Sequence, residues 1–215
     1  MKEHYFEDRI YYRTNEFKSD RLTLVFVHGV SGSSSAWLPY EKIFENKYNI
    51  LTYDIRGHGM SKKYSHYEDY EIKNFVNDFH DLLTYLHISK FILISSSFAT
   101  LIAREYLKLY RETVLALIFT STEDYKEGAL LLKIIRPVLK IATSLLNFIP
   151  FNPKPRGHVD YSKIKNSDWS IERNFADMRN TGLHAHLYTL RQSFLPGQEY
   201  SLEKINVPTL IIHGE

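Results

Sequence analysis

The sequence predicts an α/β fold of three layers, a mostly parallel sheet with helices on both faces, and three observations carry that reading. Strand-length apolar runs alternate with helix-like stretches from residue 22 through residue 119, the pattern of right-handed crossovers between parallel strands. The runs are apolar at consecutive positions, as strands covered on both faces are. Small and polar residues gather where the runs stop, at His28, Asp54, Ser97 and between Thr120 and Asp124. These are carboxyl ends of strands, where sites in such sheets lie.

Residues 4–14 are aromatic and β-prone, interrupted at Glu7-Asp8 and again at Asn15, which predicts an antiparallel hairpin at a sheet edge. Residues 22–27 form the first buried strand and run into His28-Gly29-Val30-Ser31-Gly32. Gly29 lets the backbone turn closely there, so that an N–H beyond it, that of Val30, points into a cleft. Taken alone, a His-Gly pair is equally a strand-terminating turn. Ser33, Ser34 and Ser35 are placed to cap a helix over 36–44, and residues 48–53 are the next strand.

Asp54-Ile55-Arg56-Gly57-His58-Gly59-Met60-Ser61 follows it. Gly57 and Gly59 permit positive φ, and Asp54 and Arg56 can tie the loop by charge-assisted hydrogen bonds, a structural role in preference to a catalytic one. Over residues 69–86 the apolar positions Ile72, Phe75, Val76, Phe79, Leu82, Leu83 and Leu86 have the spacing of an amphipathic helix lying on a sheet.

Between residues 90 and 110 a strand, a cluster of small residues and a helix follow without a linker. That is the layout of a nucleophile elbow, a sharp turn that holds one side chain in a strained conformation above the sheet. The turn tolerates only small residues two before and two after the nucleophile. Ser97 meets this with Ser95 and Ala99, whereas Ser96 would have Ile94 and Phe98 there, and Ser95 would have Leu93. The bland reading of the stretch is a Ser-rich turn without chemistry.

Together these stretches resemble the α/β-hydrolase family. The elbow is a relaxed form, with Ser95, Ala99 and Thr100 where glycines are common; the Asp-x-Arg-Gly-x-Gly-x-Ser stretch matches the loop after the family's fourth strand. The resemblance implies that Ser97 is the nucleophile, with an oxyanion hole from the backbone N–H groups of Val30 and Phe98. His28 and Gly29 would line the pocket, His28 not being the base. The implied activity is hydrolysis of carboxylic esters, thioesters or lactones with apolar groups, without cofactor or metal. An Asp nucleophile would instead suggest epoxide or haloalkane chemistry.

Residues 205–214 resemble the family's seventh strand, which typically reads Val-Pro-Thr-Leu-x-x-x-Gly. In the family the catalytic Asp follows within a few residues, and the His after one more helix and strand. The sequence stops first, so the resemblance implies a C-terminally truncated hydrolase, expected to be inactive by itself. An acid after the sixth strand, Asp124 or Glu123, is the alternative within the chain. Two other classes share these residues: a non-catalytic binding protein on the same fold, and an acyltransferase.

The domain reading is an α/β core over 1–124, a helical cap over 125–200 and a return to the core over 201–215. Lys and Arg outnumber Asp and Glu in the cap by 11 to 6. Its most apolar part, residues 128–151, carries Lys133, Arg136 and Lys140 on one face and Pro137 within, which argues against a spanning helix. We expect it to roof an apolar pocket, with attachment to a membrane surface as the second reading. Residues 148–155 read as a loop. His184 and His186 read as solvated or pocket-lining, since no further ligand stands at metal spacing.

A hydrophobic fraction of 44% supports a packed interior, and a net charge of +2 gives no reason to expect nucleic acid. Zero cysteines exclude disulfides and thiolate chemistry. The N-terminus carries no apolar run of signal-peptide type, so cytoplasm is the default address and a small-molecule substrate the expected partner.

Overall fold

Strand β3 (Thr23–Val27) shows how the layers arise. Val25 and Val27 pack into one core with Leu51, Tyr53, Leu93 and Phe119, while Leu24 and Phe26 pack into a second with Ile50 and Ile94. Because side chains alternate across a pleated strand, an unbroken apolar run supplies both faces at once. The structure, a computed structural model, describes residues 1–121, 130–164, 170–195 and 205–212.

Seven strands form one sheet in the order β1-β2-β4-β3-β5-β6-β7. The hairpin β1 (Lys2–Phe6) and β2 (Ile10–Thr14) is antiparallel and lies at one edge, with β2 antiparallel to β4 (Asn49–Tyr53). Strands β4, β3, β5 (Phe91–Ser96), β6 (Val114–Thr120) and β7 (Thr209–Ile212) are parallel. Helices α2 (Ile72–Tyr85) and α3 (Ala99–Tyr110) cover one face through Phe75, Phe79, Ile102 and Tyr106, and α1 (Leu38–Phe44) with Trp37 covers the other.

The serine cluster after β3 behaves differently from expectation. A short 3-10 turn spans Ser34–Trp37 before α1, and no serine side chain caps it. The Asp54 carboxylate takes the Ser34 N–H at 2.7 Å, while the Ser33 and Ser35 hydroxyls bond each other. Arg13 of β2, buried, donates to Glu41 of α1 at 2.6 Å and to the Ser34 carbonyl at 2.8 Å. The helix expected from residue 69 starts at Ile72, because Glu71 is extended and a separate 3-10 turn occupies Tyr67–Tyr70.

Between β6 and β7 the described residues form the helices α4 (Leu130–Leu145), α5 (Ile171–Thr181) and α6 (Leu183–Ser193). Helix α4 runs through Pro137 and packs on α6 through Leu132 and Leu139 against Phe194 and Leu190. Its opposite apolar face is in solvent, and only Leu146 beyond its end joins the main core. No helix among the described residues is long and apolar enough to cross a membrane.

Candidate active site

The elbow sits at the carboxyl end of β5, in the middle of the parallel strands. Ser97 has φ +49, and of Ser95, Ser96 and Ser97 it alone has a positive φ. The conformation is held from both sides: the Ser97 N–H donates to the Thr120 carbonyl at 3.0 Å, and its carbonyl accepts from Thr100 N–H at 2.9 Å and Thr100 Oγ1 at 2.7 Å. Left-handed backbone at a non-glycine residue is strain that the surroundings must impose. Ser31 (φ +63) and Ser121 (φ +53) share it beyond the ends of the flanking strands β3 and β6.

Gly29 closes on Ser97 from the neighbouring strand. A Cβ at Gly29 would lie 3.0 Å from Ser97 Cβ and 3.1 Å from the Ser96 carbonyl oxygen, so a side chain there would push the elbow away. This contact brings the His-Gly turn and the elbow to one place. Val30 is half-buried and Phe98 buried. Among the described residues neither backbone N–H has a hydrogen-bond acceptor. Ser97 is itself partly accessible, and no described side chain hydrogen-bonds its Oγ.

His28 lies in the floor of this region. Its Nδ1 donates to the Gly29 carbonyl at 2.8 Å, and its Nε2 accepts the Ile55 N–H at 3.1 Å. Both ring nitrogens are therefore used by the neutral imidazole. Burial lowers its pKa, against the opposing pull of nearby Asp54. The ring links the ends of β3 and β4, a structural role.

Asp54 is fully buried and accepts from Ser34 N–H, Met60 N–H and His158 Nε2, each at 2.7 Å. Burial alone would raise its carboxyl, but the hydrogen bond and charge of His158 and the Met60 amide hold it at about 2. Arg56 serves a different carboxylate, forking onto Asp78 at 2.8 and 2.9 Å and reaching the Asp69 carbonyl at 2.8 Å.

Sequence reasoning missed a set of ties between the inserted helices and this loop region. His186 of α6 hydrogen-bonds the Ser31 hydroxyl through Nδ1, and Thr181 Oγ1 donates to the Ser31 carbonyl at 2.7 Å. Buried Lys63 donates to the carbonyls of Gly57 (2.9 Å) and Thr181, and burial, with Arg156 adding, lowers its pKa to about 8. His184, expected to be solvated or pocket-lining like His186, is largely buried edge-on to Phe151 and Tyr188, and it lines a cavity with Phe151. No group of three or more His, Cys, Asp or Glu suited to a metal exists among the described residues. Glu123, Asp124, Asp168, Trp169 and His213 lie outside the described residues.

A family model described as alpha/beta hydrolase fold matches residues 23–215. The chain belongs to the alpha/beta hydrolase fold family. Among curated relatives, this hydrolase-fold chain is 29% identical over 95 residues to Epoxide hydrolase 1 of Caenorhabditis elegans, a match covering 44% of the chain and 24% of that protein. It is 28% identical over 100 residues to a putative carbamate hydrolase, RutD, of Escherichia coli O139:H28, covering 46% of the chain and 37% of the relative. The matches thus span well under half the length of these relatives. Solved alpha/beta hydrolases share the fold across the chain: an epoxide hydrolase of Bacillus megaterium (TM-score 0.65, 18% identity, covering 95% of this chain and 79% of that one) and the N-acyl homoserine lactonase AidH (TM-score 0.66, 16% identity, 99% and 78%).

Proposed function

We propose that the chain carries the nucleophile and oxyanion hole of a serine hydrolase acting on carboxylic esters, thioesters or lactones with apolar acyl groups. The observation that supports it most is the meeting of Ser97 at φ +49 with Gly29, beside two backbone N–H groups that no described residue uses. Ser97 Oγ attacks the carbonyl carbon and gives its proton to a histidine. The carbonyl π electrons move onto oxygen, and the N–H groups of Val30 and Phe98 stabilise that charge. Collapse expels the alcohol, thiol or ring oxygen with the histidine's proton, and water then cleaves the acyl-serine by the same steps. In the reading by resemblance the histidine and its orienting acid follow the strand Thr209–Ile212, with Asp124 as the alternative acid.

A serine at position 97 argues for acyl chemistry, since an Asp at the elbow is what suits epoxide opening. A preference for apolar acyl groups is supported by Val30, a half-buried apolar side chain packed on the main core beside Gly29, each buried methylene contributing about 0.8 kcal/mol. The test is hydrolysis of p-nitrophenyl esters of increasing chain length by the protein, with Ser97→Ala as control. Turnover should rise from acetate to longer acyl chains and be lost in Ser97→Ala. Turnover that survives Ser97→Ala would refute the assignment, and specific ester binding without turnover would favour a non-catalytic binding protein.

A further inference from the structure

Helix α4 is amphipathic with respect to the protein, yet apolar on both faces. Leu132, Leu139 and Thr143 are buried towards α6. On the opposite side Leu131, Ile134, Val138, Ile141 and Leu145 are each more than half exposed. Their spacing of three and four residues makes them one stripe along the helix, and Phe148, 85% exposed, continues it past the helix end. A contiguous exposed stripe of this length is unusual on a soluble surface and marks a place of interaction.

Charge identifies what fits there. Residues 128–159 contain no Asp or Glu, while they contain Lys133, Arg136, Lys140, Lys154 and Arg156. At 100° per residue Lys133 and Lys140 fall together on one flank of the stripe. Both are exposed, and neither has an ion-pair partner among the described residues. A broad apolar face edged by unpaired lysines, without acidic residues, is complementary to a bilayer surface with anionic headgroups: apolar side chains enter the acyl boundary and the ammonium groups reach the phosphates. A protein groove offers no such plane of negative charge, and a second copy of this helix would set lysine against lysine.

We propose that the outward face of α4 with Phe148 docks the protein on anionic lipid surfaces, α4 lying in the plane of the interface. This is independent of the chemistry at Ser97. The test is flotation of the full chain with phosphatidylcholine vesicles, with and without phosphatidylglycerol, alongside sedimentation velocity without lipid. Binding should be about 25-fold stronger with phosphatidylglycerol, from about fivefold per lysine at an anionic leaflet. Ile134→Glu with Ile141→Glu should abolish flotation, and Lys133→Glu with Lys140→Glu should remove the anionic preference, both pairs keeping the urea midpoint of the parent because the sites are exposed. No flotation with anionic vesicles, or flotation indifferent to Ile134→Glu and Ile141→Glu, would overturn the proposal. So would a dimer that those two substitutions dissolve in a protein that ignores vesicles.

Discussion

Ser31, one residue after the proposed oxyanion donor Val30, is hydrogen-bonded through its hydroxyl to Nδ1 of His186, 155 residues away in α6. Its carbonyl is held by Thr181 as well. The left-handed turn at Ser31 is thus fastened to the inserted helices at two atoms. His186→Ala should lower stability by about 1 kcal/mol, the net worth of one buried hydrogen bond. The double variant with Ser31→Ala should be less than additive, with a coupling of at least about 0.5 kcal/mol in urea unfolding. Strict additivity would mean the two side chains do not interact.

Acid should loosen the fold well before it reaches the carboxylates. Burial lowers the pKa of His28, His58 and His186; at His58 the nearby His28 adds to it. An unfolded chain takes up these protons near the ordinary value of 6.5 while the folded one resists, so the unfolded state binds more protons below that pH. Stability is therefore full above about 6.5 and falls as pH drops below it. Asp54, held at about 2, adds a second loss that begins below its ordinary value of 3.8 and continues as pH falls through 2. Thermal melts from pH 8 to 3 should show Tm falling from near pH 6.5. A flat Tm between 7 and 5 would contradict the neutral, buried state of these rings.

Gly59 is irreplaceable on geometric grounds. A Cβ there would sit 2.1 Å from Asp54 Oδ2, and its φ of +46 already disfavours any side chain. Gly59→Ala should cost at least about 3 kcal/mol, combining a steric clash with backbone strain. Gly157, also at positive φ but with nothing within 4 Å of its Cβ position, should lose only about 1 kcal/mol on the same change. Urea midpoints of the two variants, compared side by side, check the difference.

Strain at the elbow should be measurable without any assay of turnover. With φ +49 at Ser97, Ser97→Gly removes the left-handed penalty of about 1–2 kcal/mol, while Ser97→Ala retains it. The glycine variant should unfold at higher urea than the alanine variant. Equal midpoints, or a lower one for glycine, would show that the turn at Ser97 is not strained.

The parts legible in the sequence were those decided by neighbours along the chain. Consecutive apolar residues in 22–27 and 91–94 announced strands covered on both faces, and the 3.6-residue spacing of Phe75, Val76, Phe79 and Leu82 announced α2. The positive φ falls on Ser97 and not on Ser95 or Ser96, as expected of the turn residue, because crowding at a sharp turn is a local matter. What escaped notice depends on residues far apart: His158 with Asp54 and His186 with Ser31 lie 104 and 155 positions from their partners, and nothing near either histidine signals them. The serines after β3 misled for a related reason: the hydroxyls of Ser33 and Ser35 bond each other, and the Ser34 amide is taken by Asp54, 20 positions away. Helix α4 carries apolar residues on two sides, beside one cationic face, so periodicity did not tell which stripe would meet protein.

The pairing of β6 with β7 joins Leu117 to Thr209 and Thr120 to Ile212, and the Ser121 N–H reaches the Ile212 carbonyl. The inserted helices thus leave and re-enter the sheet at one point, as a loop whose mouth the sheet itself holds shut. The entropy of closing such a loop grows only logarithmically with its length, so doubling the insert would cost the sheet about 0.6 kcal/mol. The core is correspondingly indifferent to how much chain hangs between these two strands. The insert can be lengthened while the strand ends bearing Gly29 and Ser97 keep their positions, provided Ala185 and Tyr188 still fill the main core and Thr181, His158 and His186 keep their partners.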